Sequence, residues 1–116
     1  MITKQELIEL LATNDRAVER AIIVLFERQT ADEQNLETTR EKNGVGFTGV
    51  DGEIGCSMAK FYLRNHYLTI KQIAWWRKPN KNGVMRIAKY HAQLLEAAKQ
   101  KARAMTAKLE AELETV

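Results

Sequence analysis

Asp15-Arg16-Ala17-Val18-Glu19-Arg20-Ala21-Ile22-Ile23-Val24-Leu25-Phe26-Glu27-Arg28-Gln29 decides the fold class. Its centre, Ile22-Ile23-Val24, is β-branched and would suit a strand. The charges around it do not. Arg16, Glu19, Arg20, Glu27 and Arg28 keep a helical period, and Val18, Ile22, Leu25 and Phe26 fall on one stripe. The stretch therefore reads as a helix over roughly 15–29, capped by Asn14 or Asp15.

Working outward, the same period continues on both sides, and proline occurs once in 116 residues. An all-α fold follows: a compact bundle of about five helices, with a glycine-rich loop and a long C-terminal helix. Thr3 with Glu6 forms a capping box that opens a helix over roughly 3–12. Thr30 with Glu33 can restart a short helical turn. Residues 37–52 are the least regular, and Asn43-Gly44 and Asp51-Gly52 suit the positive-φ turns of a small hairpin.

A third helix is expected from Asp51–Glu53 to about Asn65, with Ile54, Met58, Phe61 and Tyr62 as its apolar stripe. Thr69 with Gln72 makes a second capping box. The helix it opens, over roughly 69–77, is expected to bury Ile70, Ile73 and Ala74 and to stop at Pro79. Residues 78–83 form a basic turn. The last helix spans about 84–113, with Val84, Ile87, His91, Leu94 and Ala98 on one face. Beyond it, Ala98, Ala102, Met105, Leu109 and Glu112 step by four and three, a short heptad-like register. Two outcomes stay open for that end: a homodimer through the C-terminal helix, or a solvated helix terminus. Residues 1–95 read as a helical domain and 96–116 as its extension.

The charge is sided. Residues 1–58 carry 6 Lys+Arg and 11 Asp+Glu; residues 59–116 carry 12 and 4. Between Glu53 and Glu96 there is no acidic residue, while Lys60, Arg64, Lys71, Arg77, Lys78, Lys81, Arg86 and Lys89 lie there with Phe61, Tyr62, Tyr67, Trp75, Trp76 and Tyr90. Uncompensated cations repel one another until an anion neutralises them. Cations interleaved with flat rings suit a polyanion with stackable bases.

Trp75-Trp76-Arg77-Lys78 is the sharpest local feature. Neighbours on a helix point about 100° apart, so both indoles cannot share one core face. One indole is expected half exposed beside Arg77 and Lys78; the alternative has both wrapping the edge of the core or an interface. Residues 68–74 with 84–95 suggest a helix-turn-helix offering Arg86 and Lys89. The turn between them is too long and holds a proline, so a helical hairpin with an outward basic loop is preferred. The Gly44–Gly52 loop could cradle an anion, but a structural turn with Phe47 and Val50 in the core is preferred.

Catalytic and metal constellations are not seen. His66 and His91 lie far apart, and Cys56, the only cysteine, reads as a small buried thiol in a reducing compartment. Asp51 and Glu53 read as charged surface. No enzyme activity, cofactor or metal is expected. No signal segment or membrane span is visible, and the cytoplasm is the expected location.

Asn43-Gly44-Val45-Gly46-Phe47, Asp51, Leu68-Thr69 with Lys71-Gln72, and Lys89-Tyr90 with Gln93-Leu94 occur in an order that resembles a short helical module. That module is seen in small phage or prophage proteins and is appended to some helicase-like proteins. The resemblance covers roughly residues 14–95, leaving out Trp75–Gly83 and the tail after Leu95. It implies an accessory role in phage or plasmid DNA metabolism and supplies no catalytic residues.

The expected function is non-enzymatic nucleic-acid binding, to DNA ahead of RNA. Lys71, Arg77, Lys78, Lys81, Arg86 and Lys89 would meet phosphates, and Trp75 or Trp76, with Tyr67, would stack on bases. The rival expectation is an inhibitor or adaptor that docks on a host protein or nucleoprotein complex. A third is a structural dimer in which the tryptophans and the tail form the interface.

Overall fold

The Thr3 capping box forms as read: Thr3 Oγ1 accepts from the Glu6 N–H at 3.2 Å, and Glu6 Oε1 accepts from the Thr3 N–H at 3.1 Å. The computed structural model describes residues 2–36, 46–47 and 49–114. Five α-helices appear among them: α1 Lys4–Thr13, α2 Asp15–Leu36, α3 Gly49–Asn65, α4 Ile70–Arg77 and α5 His91–Glu114. A 3-10 turn, Arg86–Tyr90, leads into α5. No strand occurs among the described residues, so the fold is all-α. Of the hairpin expected in the glycine-rich loop, Asn43-Gly44 lies outside them, and Asp51-Gly52 is no positive-φ turn but part of α3.

The stretch that decided the fold class is helical, with Asn14 Oδ1 accepting from the Ala17 N–H at 3.2 Å. Val18, Ile22 and Leu25 are fully buried. The helix runs on to Leu36 rather than stopping near residue 29 and restarting at Thr30. No glycine or proline interrupts it. Around α2 the core closes with Leu11 of α1, Ala59 of α3, Leu68 ahead of α4, Ile73 and Trp76 of α4, and Ile87, Tyr90 and Leu94. Phe47 enters this core from the glycine-rich segment.

Several faces are rotated from expectation. On α3 the buried side is Asp51, Gly55 and Ala59, while Ile54 is exposed. Close approach is the cause: a Cβ on Gly55 would lie 2.7 Å from the Phe47 ring, so the glycine face, not the larger Ile54, meets the core. On α4 the buried pair is Ile73 and Trp76, whereas Ile70 and Ala74 are exposed. Val84 is also exposed, because it belongs to the loop before the 3-10 turn rather than to a helix.

Candidate nucleic-acid interface

Helix α4 starts at Thr69, whose hydroxyl accepts from the Gln72 N–H at 3.1 Å while Gln72 Oε1 accepts from the Thr69 N–H at 2.8 Å. A carboxylate of α2 ties down the residue before it: Glu19 Oε2 accepts from the Leu68 N–H at 2.8 Å. These bonds fix where α4 begins, and Ile73 and Trp76 fix its rotation. Lys71 and Trp75, spaced i, i+4, then share the outward stripe, and Lys78 is exposed at the C-cap.

After α4 the chain closes a tight loop. Pro79 and Met85 form an antiparallel bridge, and the Arg86 N–H donates to the Lys78 carbonyl at 3.0 Å. Asn80 organises the tip: its Oδ1 accepts from the Asn82 and Val84 N–H groups at 2.8 and 3.1 Å. Gly83 adopts φ +78, which the turn requires. The loop brings Arg86 back beside the end of α4, where its guanidinium lies 3.6 Å from the centre of the Trp75 ring. Such a stack holds the cation in place. Lys81 stands exposed in the loop.

Of the expected site residues, Trp75 and Arg86 meet directly, Lys71 and Lys78 are exposed on and just after α4, and Lys81 lies in the adjoining loop. Lys71, Lys78 and Lys81 are exposed, and no carboxylate among the described residues pairs with them or with Arg86. Tyr67 lies before α4, 52% exposed and edge-on to Phe61 at 5.6 Å.

Three expectations are corrected. Trp76 is 0% exposed, so it cannot stack on a base. Its ring packs on Phe47 and Tyr90 at 5.5 and 6.5 Å, and its N–H donates to Met58 Sδ at 2.9 Å. Arg77 is committed internally: Nη1 pairs with Asp15 at 2.8 Å and Nε donates to the Leu11 carbonyl at 2.9 Å. Lys89 pairs with Asp51 at 2.7 Å. The helix-turn-helix also fails, because its recognition segment buries Ile87, Ala88 and Tyr90 and pairs Lys89 with Asp51.

Asp51 is not surface charge. It is 2% exposed and accepts from the Tyr90 hydroxyl at 2.5 Å as well as pairing with Lys89. It sits in the first turn of α3, where a carboxylate is favoured by the helix dipole. Nearby, Gly46 and Phe47 are held by two glutamines. Gln93 bonds both backbone groups of Gly46, and Gln29 Oε1 accepts from the Phe47 N–H at 2.9 Å while its Nε2 donates to Cys56 Sγ at 3.0 Å. Those N–H groups are therefore taken and do not form an anion cradle. Gly46 thus meets Gln93, and Asp51 meets Lys89 and Tyr90. Sequence reading missed Gln29, whose polar side chain gives no periodic signal, and quoted Gln93 without this role.

No group of three His, Cys, Asp or Glu among the described residues is arranged to hold a metal ion. No helix of the described residues is long and apolar enough to cross a membrane. No protein-family model, curated protein or solved structure matches the chain.

Proposed function

We propose that this protein binds nucleic acid without chemistry of its own, through the outward stripe of α4 and the loop that follows. The observation that carries this reading is Arg86 stacked on Trp75, with Lys71 and Lys78 exposed on and just after α4 and no carboxylate among the described residues paired with any of the three cations. A guanidinium stacked on an indole is pre-set to meet a phosphate, and it loses little freedom on binding. The half-buried Trp75 would give a base a stacking partner where Arg86 and Trp76 leave its ring uncovered. The resemblance to a phage or prophage module supports a role in phage or plasmid DNA metabolism, and DNA is the polymer expected first.

The test is fluorescence anisotropy of labelled single-stranded and duplex DNA at several salt concentrations, with tryptophan emission followed in parallel. With Lys71, Lys78, Lys81 and Arg86 each meeting one phosphate, log affinity for single strands falls with log salt at a slope of about −3. Binding that ignores salt would sink the proposal.

One observation favours the second reading, an inhibitor or adaptor of a host protein. Ile70 is 86% exposed and rims a shallow groove with Ile73, Ala74, Asp15, Arg77 and Lys78. An exposed isoleucine beside charged groups suits a protein contact. Absence of DNA binding at low salt would favour this reading.

A further inference from the structure

From Lys99 to Glu114 every residue of α5 is exposed. Met105, Leu109 and Leu113 are nevertheless aligned at i, i+4, i+8, exposed by 58%, 58% and 73%. Ala98 and Ala102 lie on the same side. The charges of this segment are ordered: Lys99, Lys101 and Arg103 come first, and Glu110, Glu112 and Glu114 last. They mirror one another about a point between Thr106 and Ala107. Lys99 answers Glu114, Lys101 answers Glu112, and Arg103 answers Glu110. Lys108 alone stands outside the pattern.

This order is unfavourable for a lone helix. Acidic groups at a C-terminus oppose the helix dipole, and the last turn of α5 has no basic residue. The order is favourable for two copies running in opposite directions. Lys99, Lys101 and Arg103 then each face a carboxylate of the other copy, and Met105 and Leu109 come within about one residue's rise of each other across the seam. Parallel copies would set the basic block on the basic block and the acidic on the acidic.

We propose that the exposed half of α5 is a self-association surface that pairs antiparallel with a second copy of this chain, centred at residues 106–107. The proposal is independent of nucleic-acid binding.

Sedimentation equilibrium of the full chain at low salt is the first arm of the test. A concentration-dependent dimer is expected, and Leu109→Glu abolishes it. Lys101→Glu with Arg103→Glu weakens it about tenfold, and adding Glu110→Lys with Glu112→Lys restores it to within about threefold. These positions lie outside the core, so an unchanged melting temperature confirms that each variant is folded. The second arm is cross-linking by a short bismaleimide, with wild type as the Cys56 control and sites mapped by mass spectrometry. Thr106→Cys is expected to link to itself. Leu113→Cys is not, because its two copies would lie about 19 Å apart along the axis. Efficient 113–113 links would show a parallel pair and overturn the proposal. So would a monomer persisting to about 1 mM, or a charge swap that fails to restore association.

Discussion

Gln93 holds Gly46 by both of its backbone groups: Oε1 accepts from the N–H at 2.7 Å, and Nε2 donates to the carbonyl at 2.9 Å. One side chain of α5 therefore replaces the pairing that a strand would give this buried residue. Through Gly46 it seats Phe47 against Trp76, and so helps set the rotation of α4 and the side on which Trp75 is displayed.

Gln93→Ala strands both backbone groups of Gly46. Destabilisation of about 2–4 kcal/mol is expected in urea unfolding. Gln100→Ala, on the exposed part of the same helix, should shift stability by less than about 0.5 kcal/mol.

Two glycines separate strain from crowding. Gly46 (φ +75) and Gly83 (φ +78) share one backbone conformation, but a Cβ on Gly46 would fall 2.3 Å from Gln29 Cβ, while a Cβ on Gly83 meets nothing within 4 Å. Gly83→Ala should cost about 1 kcal/mol. Gly46→Ala should cost about 3 kcal/mol or more, with the difference measuring the collision. Equal losses in thermal unfolding would contradict this packing.

Asp51 joins α3 to the 3-10 turn through Tyr90 and Lys89. Asp51→Ala removes the carboxylate that accepts from the buried Tyr90 hydroxyl and pairs with Lys89, and a loss of about 3 kcal/mol is expected. Tyr90→Phe should cost about 1–2 kcal/mol. Combined, they should cost clearly less than the sum, which a double-mutant cycle in denaturant would register.

The two adjacent indoles should behave as different kinds of residue. Trp76→Ala empties the core and should cost about 3–5 kcal/mol. Trp75→Ala should leave the protein folded but lower DNA affinity by about 1–3 kcal/mol. With Trp75→Phe, added DNA should no longer quench the remaining emission, because Trp76 is sealed from solvent.

At the N-terminus the Thr3 backbone N–H, and then its hydroxyl, hold the Glu6 carboxyl below the usual carboxylate range. Because the folded value is depressed, its contribution to stability is present above the ordinary carboxylate pKa. It fades as pH falls through the lowered folded value. An NMR titration should place Glu6 below the ordinary carboxylate range, and Thr3→Ala, which keeps the backbone N–H, should move it part of the way back up.

The sequence by itself determined that this chain is helical and where several helices begin. The boxes Thr3–Glu6 and Thr69–Gln72 close within one turn, so nothing distant is needed to form them. The stripe Val18-Ile22-Leu25 likewise outweighed its β-branched centre, because periodicity is a property of the segment itself. The acid-free stretch between Glu53 and Glu96 was equally legible as a source of exposed cations. The tertiary structure alone decided which residues were left to serve a site. Periodicity gives the angle between Ile70, Ile73 and Trp76 but not the absolute rotation of α4. Phe47, Met58 and Tyr90 set that rotation, burying Trp76 and turning Ile70 outward. In the same way Arg77 and Lys89 read as free cations until folding brought Asp15 and Asp51 to them, since a charge's partner depends on distance in space and not on position in the chain.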